Sequence, residues 1–293
     1  MSDNLRGGLW ILLSCLAATM MTVGVRALSV EMQSMEIAFA RSLVGLMLVL
    51  PVVVARGSAR LRTKRWKLHL LRGVLGVVAL NCGFYALTKL PLATVTVLFF
   101  TAPLFVTIFA RSLLGERVGW RRWAATAVGF LGTLVVMQPG TAGFHPVMMV
   151  AVGSSVIFAL VLIIGKKLST TESPYTMMLY AGVIMSLGCL PPALAVWRTP
   201  SPVALLLMLM VGAFGALRSY FDIRGYATGE ASFVASFQYT RIILAAAAGF
   251  VFFAETPEGN ALFGAAIIIA STLYIAQRER RLGRAATART LDP

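Results

Sequence analysis

Residues 203–227 read VALLLMLMVGAFGALRSYFDIRGYA, an apolar run broken near its end by Arg218 and Asp222. A helix crossing a hydrocarbon core of about 30 Å needs roughly 20 mostly apolar residues, and this stretch supplies them. Arg218 and Asp222 stand four apart, so a helix places them on one face where they can pair. The stretch therefore reads as a transmembrane helix carrying its own ion pair. Nine more runs of this kind occupy about 8–28, 36–55, 69–89, 92–112, 121–138, 145–164, 174–196, 231–254 and 259–277. Of the 293 residues, 58% are hydrophobic and 13% charged, against about 25% charged in soluble proteins. Open sheets and lipid-exposed irregular backbone would leave peptide groups unsatisfied in lipid. The fold class that follows is all-α integral membrane, with ten transmembrane helices.

The first run resembles a signal peptide in having Arg6 before it, but it is too long for a typical h-region. It also recurs: residue n laid over residue n+140 puts Ser14 on Ser154, Arg26 on Lys166 and Pro51 on Pro191. With small shifts Phe84-Tyr85-Ala86 falls on Gly225-Tyr226-Ala227, and Glu116 on Glu255. A nearly constant offset across the chain signals internal duplication. It divides the chain into a first five-helix repeat, 1–138, a second, 139–277, and a tail, 278–293, that is basic, without apolar period and expected to be disordered. Five is odd, so the second repeat enters the membrane from the opposite side, giving two inverted five-helix repeats, an arrangement typical of secondary transporters.

Net charge is +15. The basic residues sit in short connections, among them Arg56, Arg60, Arg62, Lys64, Arg65 and Lys67 after the second run. Such loops face lipid headgroups, so membrane lipid and not nucleic acid is the expected partner. The positive-inside rule places both termini in the cytoplasm of a multi-pass protein of the bacterial inner membrane. Cys15, Cys82 and Cys189 are odd in number and lie within apolar runs, which argues for packing and against disulfides.

An ionisable group at mid-membrane costs at least about 2.5 to 3.5 kcal/mol and needs a partner, a wet cavity or a function. Arg218 and Asp222 read as a membrane ion pair or as groups that handle substrate or protons. Arg41, early in the second run, is expected to snorkel outward or to pair with Glu36. Arg241 lies too deep to reach either surface. Asn81 and Tyr85 are four apart, and the repeat puts Asp222 and Tyr226 over them, as expected of a site on a pseudo-twofold axis. The candidate substrate-binding residues are Asn81, Tyr85, Phe99, Phe158, Gln238, Tyr239 and Arg241. Asn81 or Arg241 would donate to a carboxylate, Gln238 or Tyr85 would accept from an ammonium, and Phe99 or Phe158 would form an apolar wall. Gly73 and Gly76, with Gly212 and Gly215, read as close helix contacts, and Pro103 as an interruption of the fourth run. No H-E-x-x-H, G-x-S-x-G or phosphate loop occurs, so an enzyme, a catalytic residue, a metal or a cofactor is not expected.

Thr101-Ala-Pro-Leu-Phe-Val106 followed by Leu114-Gly-Glu-Arg117, and Phe237-Gln-Tyr-Thr-Arg241 followed by Phe253-Ala-Glu255, resemble the paired repeat motifs of the EamA family of the drug/metabolite transporter superfamily. Tyr85-Ala-Leu87 to Leu90-Pro-Leu-Ala93 resembles that family's turn between third and fourth helices. The resemblance implies a central substrate cavity surrounded by the first four helices of each repeat, with alternating access. Within the superfamily the chain is similar to bacterial amino-acid exporters of the YddG group, which implies export of small neutral or zwitterionic metabolites, aromatic amino acids included. Members sharing the F-Q-Y-T-R element carry other solutes, S-adenosylmethionine among them, and nucleotide sugars or drug-like solutes are further alternatives. One departure is Ala254, where the family usually has glycine, and it is expected to affect helix termination.

Overall fold

The computed structural model describes residues 3–55, 63–114, 120–228, 237–256, 259–267 and 269–270. The disordered tail expected at 278–293, and Glu116, lie outside these. The described residues form helices α1 (Asp3–Leu28), α2 (Ser34–Ala55), α3 (Trp66–Lys89), α4 (Leu92–Phe99), α5 (Ala102–Leu114), α6 (Trp120–Met137), α7 (Val147–Ser169), α8 (Pro174–Ala195), α9 (Pro202–Thr228), a short 3-10 turn at Phe237–Tyr239, and α10 (Thr240–Phe253). A last helix, α11, covers 259–267 and 269–270. Helices α4 and α5 are one crossing, so each of the ten expected runs coincides with a helical crossing in its described part. Seven crossings are long and apolar enough to span a membrane among the described residues, with shorter apolar helices at Thr126–Met137 and Thr240–Phe253. Large apolar side chains cover the outside, with Leu206 67%, Val251 70% and Ile243 71% exposed. Lipid is the medium in which such a surface is stable.

The fourth crossing breaks at Phe100 and Thr101 for a reason written in its sequence. Pro103 has no N–H to give to Phe99, so the helical ladder stops there and restarts at Ala102. The ninth crossing is irregular at the matching place, with the 3-10 turn leading into Thr240.

Helix pairing is the same when the halves are exchanged. Helix α1 packs on α9 as α7 packs on α3; α2 packs on α9 as α8 packs on α3; and the self-matched pairs α2 with α8 and α4 with α10 meet at the middle. Close approach relies on glycine in the third helix of each half. A Cβ at Gly73 of α3 would meet Ile184 of α8 at 2.5 Å, and one at Gly212 of α9 would collide with Val44 of α2. Matched carboxylates also bind matched helix starts. Glu31, in the α1–α2 turn, accepts from Ser201 N at 2.7 Å and Ser201 Oγ at 2.8 Å just before α9. Glu172, in the α7–α8 turn, accepts from Thr63 Oγ1 at 2.6 Å before α3, at the opposite end of the bundle.

Candidate functional site

The charged centre is built from α1, α9 and α10. On α9, Arg218 Nε lies 3.7 Å from Asp222 Oδ2, so the pair expected from the four-residue spacing forms. The other carboxylate oxygen, Oδ1, accepts from Ser14 Oγ of α1 at 2.5 Å. Next along α1, Cys15 Sγ points to the carbonyls of Phe237 and Gln238 at 3.7 and 3.8 Å, which holds the 3-10 turn against α1. That turn brings Arg241 into electrostatic range of Arg218 and Asp222, with its Nε buried and without a hydrogen-bond partner. Arg218, Asp222, Gln238 and Arg241 are thus gathered in one place. The side chains of Tyr226 and Tyr239 lie outside those described.

Arg41 corrects the sequence reading. It neither snorkels nor pairs with Glu36, whose oxygens are taken by Gln33 N at 2.8 Å and Arg198 N at 2.6 Å. Five residues on a helix amount to about 140° of rotation between the two side chains, which puts them on different faces. Arg41 instead crosses Gly215 of α9, where a Cβ would stand 3.1 Å from its Nε, and it lies in range of Arg218. Among the described residues the centre therefore holds three guanidiniums and one carboxylate, with Arg218 and Arg241 beside Asp222 and Arg41 beyond Arg218.

Asn81 approaches this centre from α3. Its Nδ2 donates to Val77 O at 2.9 Å and to Cys189 Sγ of α8 at 3.4 Å. Cys189 also lies beside Ser42 and is an electrostatic neighbour of Arg41. Phe99, the last residue of α4, lies over Gly83, where a Cβ would be 3.4 Å from its ring and 3.1 Å from Ser154 Oγ. Phe158 is one turn beyond Ser154 on α7 and is 38% exposed. Tyr85 is 41% exposed and stands two turns along α3 from exposed Val78, on the stripe that also contains Leu71 and Val74. Ser14 and Arg41 were not among the candidate site residues. The repeat had placed Ser14 over Ser154, and that match was the available signal for Ser14.

One end of the bundle is tied by Glu255. Its Oε1 pairs with Arg26 Nη2 at 3.2 Å and its Oε2 accepts from Leu92 N at 2.8 Å, at the start of α4. Arg26 Nη1 reaches the carbonyls of Leu87 and Leu90 at 3.1 and 3.4 Å. Four chain segments from both halves are joined: the ends of α1, α3 and α10 and the start of α4. The negative carboxylate also suits the positive N-terminus of α4.

Two successive stretches, residues 5–138 and 145–277, match one family model, that of the EamA-like transporter family. The chain belongs to the EamA-like transporter family. Among its relatives, the S-adenosylmethionine uptake transporter of Rickettsia prowazekii (strain Madrid E) is 34% identical over 94% of this chain and 94% of its own length. The riboflavin transporter of Vibrio cholerae serotype O1 is 32% identical, with 96% of each chain covered. The pseudopaline exporter CntI of Pseudomonas aeruginosa is 27% identical over 95% of this chain and 99% of its own. A solved crystal structure shares the fold with a TM-score of 0.69 at 18% identity, covering 94% of this chain and 98% of that one. As an EamA-like protein the chain is a multi-pass membrane transporter of a small molecule and not an enzyme. None of these three relatives is named for amino-acid export, so that expectation loses its priority.

Proposed function

We propose that the chain carries a metabolite with an α-amino-acid head group across the bacterial inner membrane by alternating access, and that S-adenosylmethionine is its leading cargo. The observation that carries this reading is the mid-bundle excess of three guanidiniums over one carboxylate among the described residues. A guanidinium left without an anion in the membrane is expensive, and a cargo carboxylate is the anion that such a site lacks. Asp222, held by Ser14, offers negative charge to an ammonium or sulfonium. Phe99 offers a flat apolar wall to a ring. The relative named for S-adenosylmethionine supports the choice of cargo. Free amino acids, expected from the sequence, share the head group and are the second choice. Export was the expected direction; the relatives include both uptake carriers and an exporter, and a carrier without an energy source follows the gradient of its cargo.

The Glu255 network seals one end of the cargo path. Helix α4 packs on α10 at this end, whereas α5 packs on α7 and α6, which supports a path open at the other end. With both termini cytoplasmic, the sealed end is the extracytoplasmic one. A cysteine at Ser58 should then be protected from impermeant thiol reagents in intact cells and one at Gly143 labelled; the opposite pattern inverts the orientation.

The test of cargo is uptake into proteoliposomes of purified protein, using labelled S-adenosylmethionine, methionine, phenylalanine and riboflavin. S-adenosylmethionine should accumulate and excess unlabelled compound should suppress it. Uptake of riboflavin with no movement of the other three would overturn the reading.

A further inference from the structure

Arg41 differs from the other two central arginines in its surroundings. Arg218 pairs with Asp222, and Arg241 lies in range of the same carboxylate. Among the described residues, the ionisable neighbours of Arg41 are Arg218, a like charge, and the Cys189 thiol. Its Nε is buried without a hydrogen-bond partner. A residue that only helped α2 to pack would be poorly served by a cation beside a cation with no acid of its own. The chain has nonetheless kept room for it, since Gly215 leaves open the volume that the side chain crosses.

A second unpartnered group stands nearby. Val77 O accepts from the Asn81 amide, which fixes which way the amide faces and leaves Oδ1 as an acceptor. That Oδ1 is buried and has no partner. Cys189 joins the two residues, bonded to Asn81 at 3.4 Å and neighbouring Arg41. One corner, formed by α2, α3 and α8, thus holds a cationic donor lacking an anion and a neutral acceptor lacking a donor. An α-amino-acid head presents the complementary set, a carboxylate and an ammonium on one carbon.

We propose that Arg41 and Asn81 form the head-group corner of the cargo site, with Arg41 donating to the α-carboxylate and Asn81 Oδ1 accepting from the α-ammonium, so that Arg41 sets specificity for carboxylate-bearing cargo. The proposal rests on the amino-acid-headed reading above and assigns the carboxylate to Arg41 in place of Arg241.

The test compares S-adenosylmethionine with its decarboxylated analogue, which differs only in the carboxylate, in proteoliposomes of the full chain. Wild-type protein should prefer the carboxylated compound by roughly tenfold or more, as expected of a charge-assisted hydrogen bond. Arg41→Gln should reduce that preference to within about twofold, mainly through KM, while the analogue's own uptake is kept. Arg41→Lys should be intermediate, because it keeps charge and loses the planar fork. Arg241→Gln should keep the preference. If Arg41→Gln is not recovered folded, Gly215→Ala takes its place: the added methyl would press on Arg41 Nε from 3.1 Å and shift the guanidinium without removing its charge, lowering the preference in the same direction. An unchanged preference in the variant recovered, or an equal loss for both compounds, overturns the proposal and leaves the reading of the cargo standing. Failure of the wild type to move S-adenosylmethionine, methionine or phenylalanine overturns the reading itself, and this assignment with it.

Discussion

The two halves of the bundle share a scaffold but not a charge distribution. Ser14 of α1 and Ser154 of α7 are matched by the repeat, and each reaches the third helix of the other half. Ser154 Oγ donates to a backbone carbonyl, Ala79 O, at 2.8 Å, whereas Ser14 Oγ donates to the Asp222 carboxylate at 2.5 Å. Asn81 stands where the second half has Asp222, and Val77 where it has Arg218. The glycine contacts at Gly73 and Gly212 and the carboxylate ties of Glu31 and Glu172 are alike in both halves. On the proposed reading, duplicated geometry serves two halves that rock against each other, and the unlike side chains at matched positions serve recognition of an asymmetric solute.

The largest expected effect breaks this comparison at its most unequal pair. Asp222→Leu would leave Arg218 and Arg241 without their carboxylate, and removing one partner of a poorly solvated ion pair costs about 3 to 5 kcal/mol. Asn81→Leu, the matched change, removes neutral hydrogen bonds and should cost about 0.5 to 1.5 kcal/mol. Thermal unfolding in one detergent should show Asp222→Leu far below Asn81→Leu, and exchanging the charges as Arg218→Asp with Asp222→Arg should recover much of the loss. Equal midpoints for the two single variants would mean that the centre is wet enough for charge not to matter.

Glu255 is next. Glu255→Ala removes the Arg26 bridge and the acceptor of Leu92 N together, each a charged hydrogen bond of about 1.5 to 3 kcal/mol. Glu255→Gln keeps an oxygen for Leu92 N and loses the bridge, so it should unfold between Glu255→Ala and wild type. A cysteine at Leu90 should become more reactive toward thiol reagents in Glu255→Ala, because Arg26 loses the carboxylate that helps keep its guanidinium against the Leu90 carbonyl. Unchanged reactivity would show that α4 and α10 hold this end without the network.

How much of this was legible in the sequence depended on the range of each interaction. Crossings could be read because twenty apolar residues in lipid have one solution, and α3 was expected at 69–89 and found at Trp66–Lys89. The break of the fourth crossing was legible at Pro103, since a missing donor acts four residues away. The Arg218–Asp222 pair was legible for the same reason of short range. Arg41 was not, because its setting depends on Gly215, 174 residues further along the chain. Ser14 with Asp222, and Glu255 with Arg26, are 208 and 229 residues apart, so no local pattern announces them. The repeat marked Ser14 and Glu255 as positions with counterparts, while leaving open what they touch.

Ser14→Ala against Ser154→Ala sharpens the comparison by a smaller margin. Both remove one hydroxyl at matched places, yet only Ser14 serves a charged acceptor. Ser14→Ala should cost about 1.5 to 3 kcal/mol and Ser154→Ala about 1 kcal/mol, read as the difference in unfolding midpoint between two otherwise identical proteins. Equal losses would indicate that Asp222 is sufficiently held by Arg218 alone.

The smallest effect concerns the residue before each matched glutamate, Gly115 in the first half and Ala254 in the second. Helix α10 ends with Ala254 N bonded to Phe250 O at 3.2 Å and Glu255 N bonded to Gly249 O at 3.0 Å, a seven-residue closure one residue wider than a Schellman cap. That closure needs a left-handed residue, and Ala254 has φ 52°. The Cβ of an L-residue crowds the following carbonyl there, costing roughly 1 to 2 kcal/mol, whereas glycine is free of it. Glycine also gives the unfolded chain more freedom, which offsets part of the gain. Ala254→Gly should therefore stabilise the protein by about 1 kcal/mol or somewhat less, without altering the preference between S-adenosylmethionine and its decarboxylated analogue, because the cap lies at the sealed end and away from Arg41 and Asn81. A fall in unfolding midpoint would mean that α10 ends differently in the membrane. A changed cargo preference would mean that the way Glu255 is presented is felt at the centre, and that the seal and the site act as one unit.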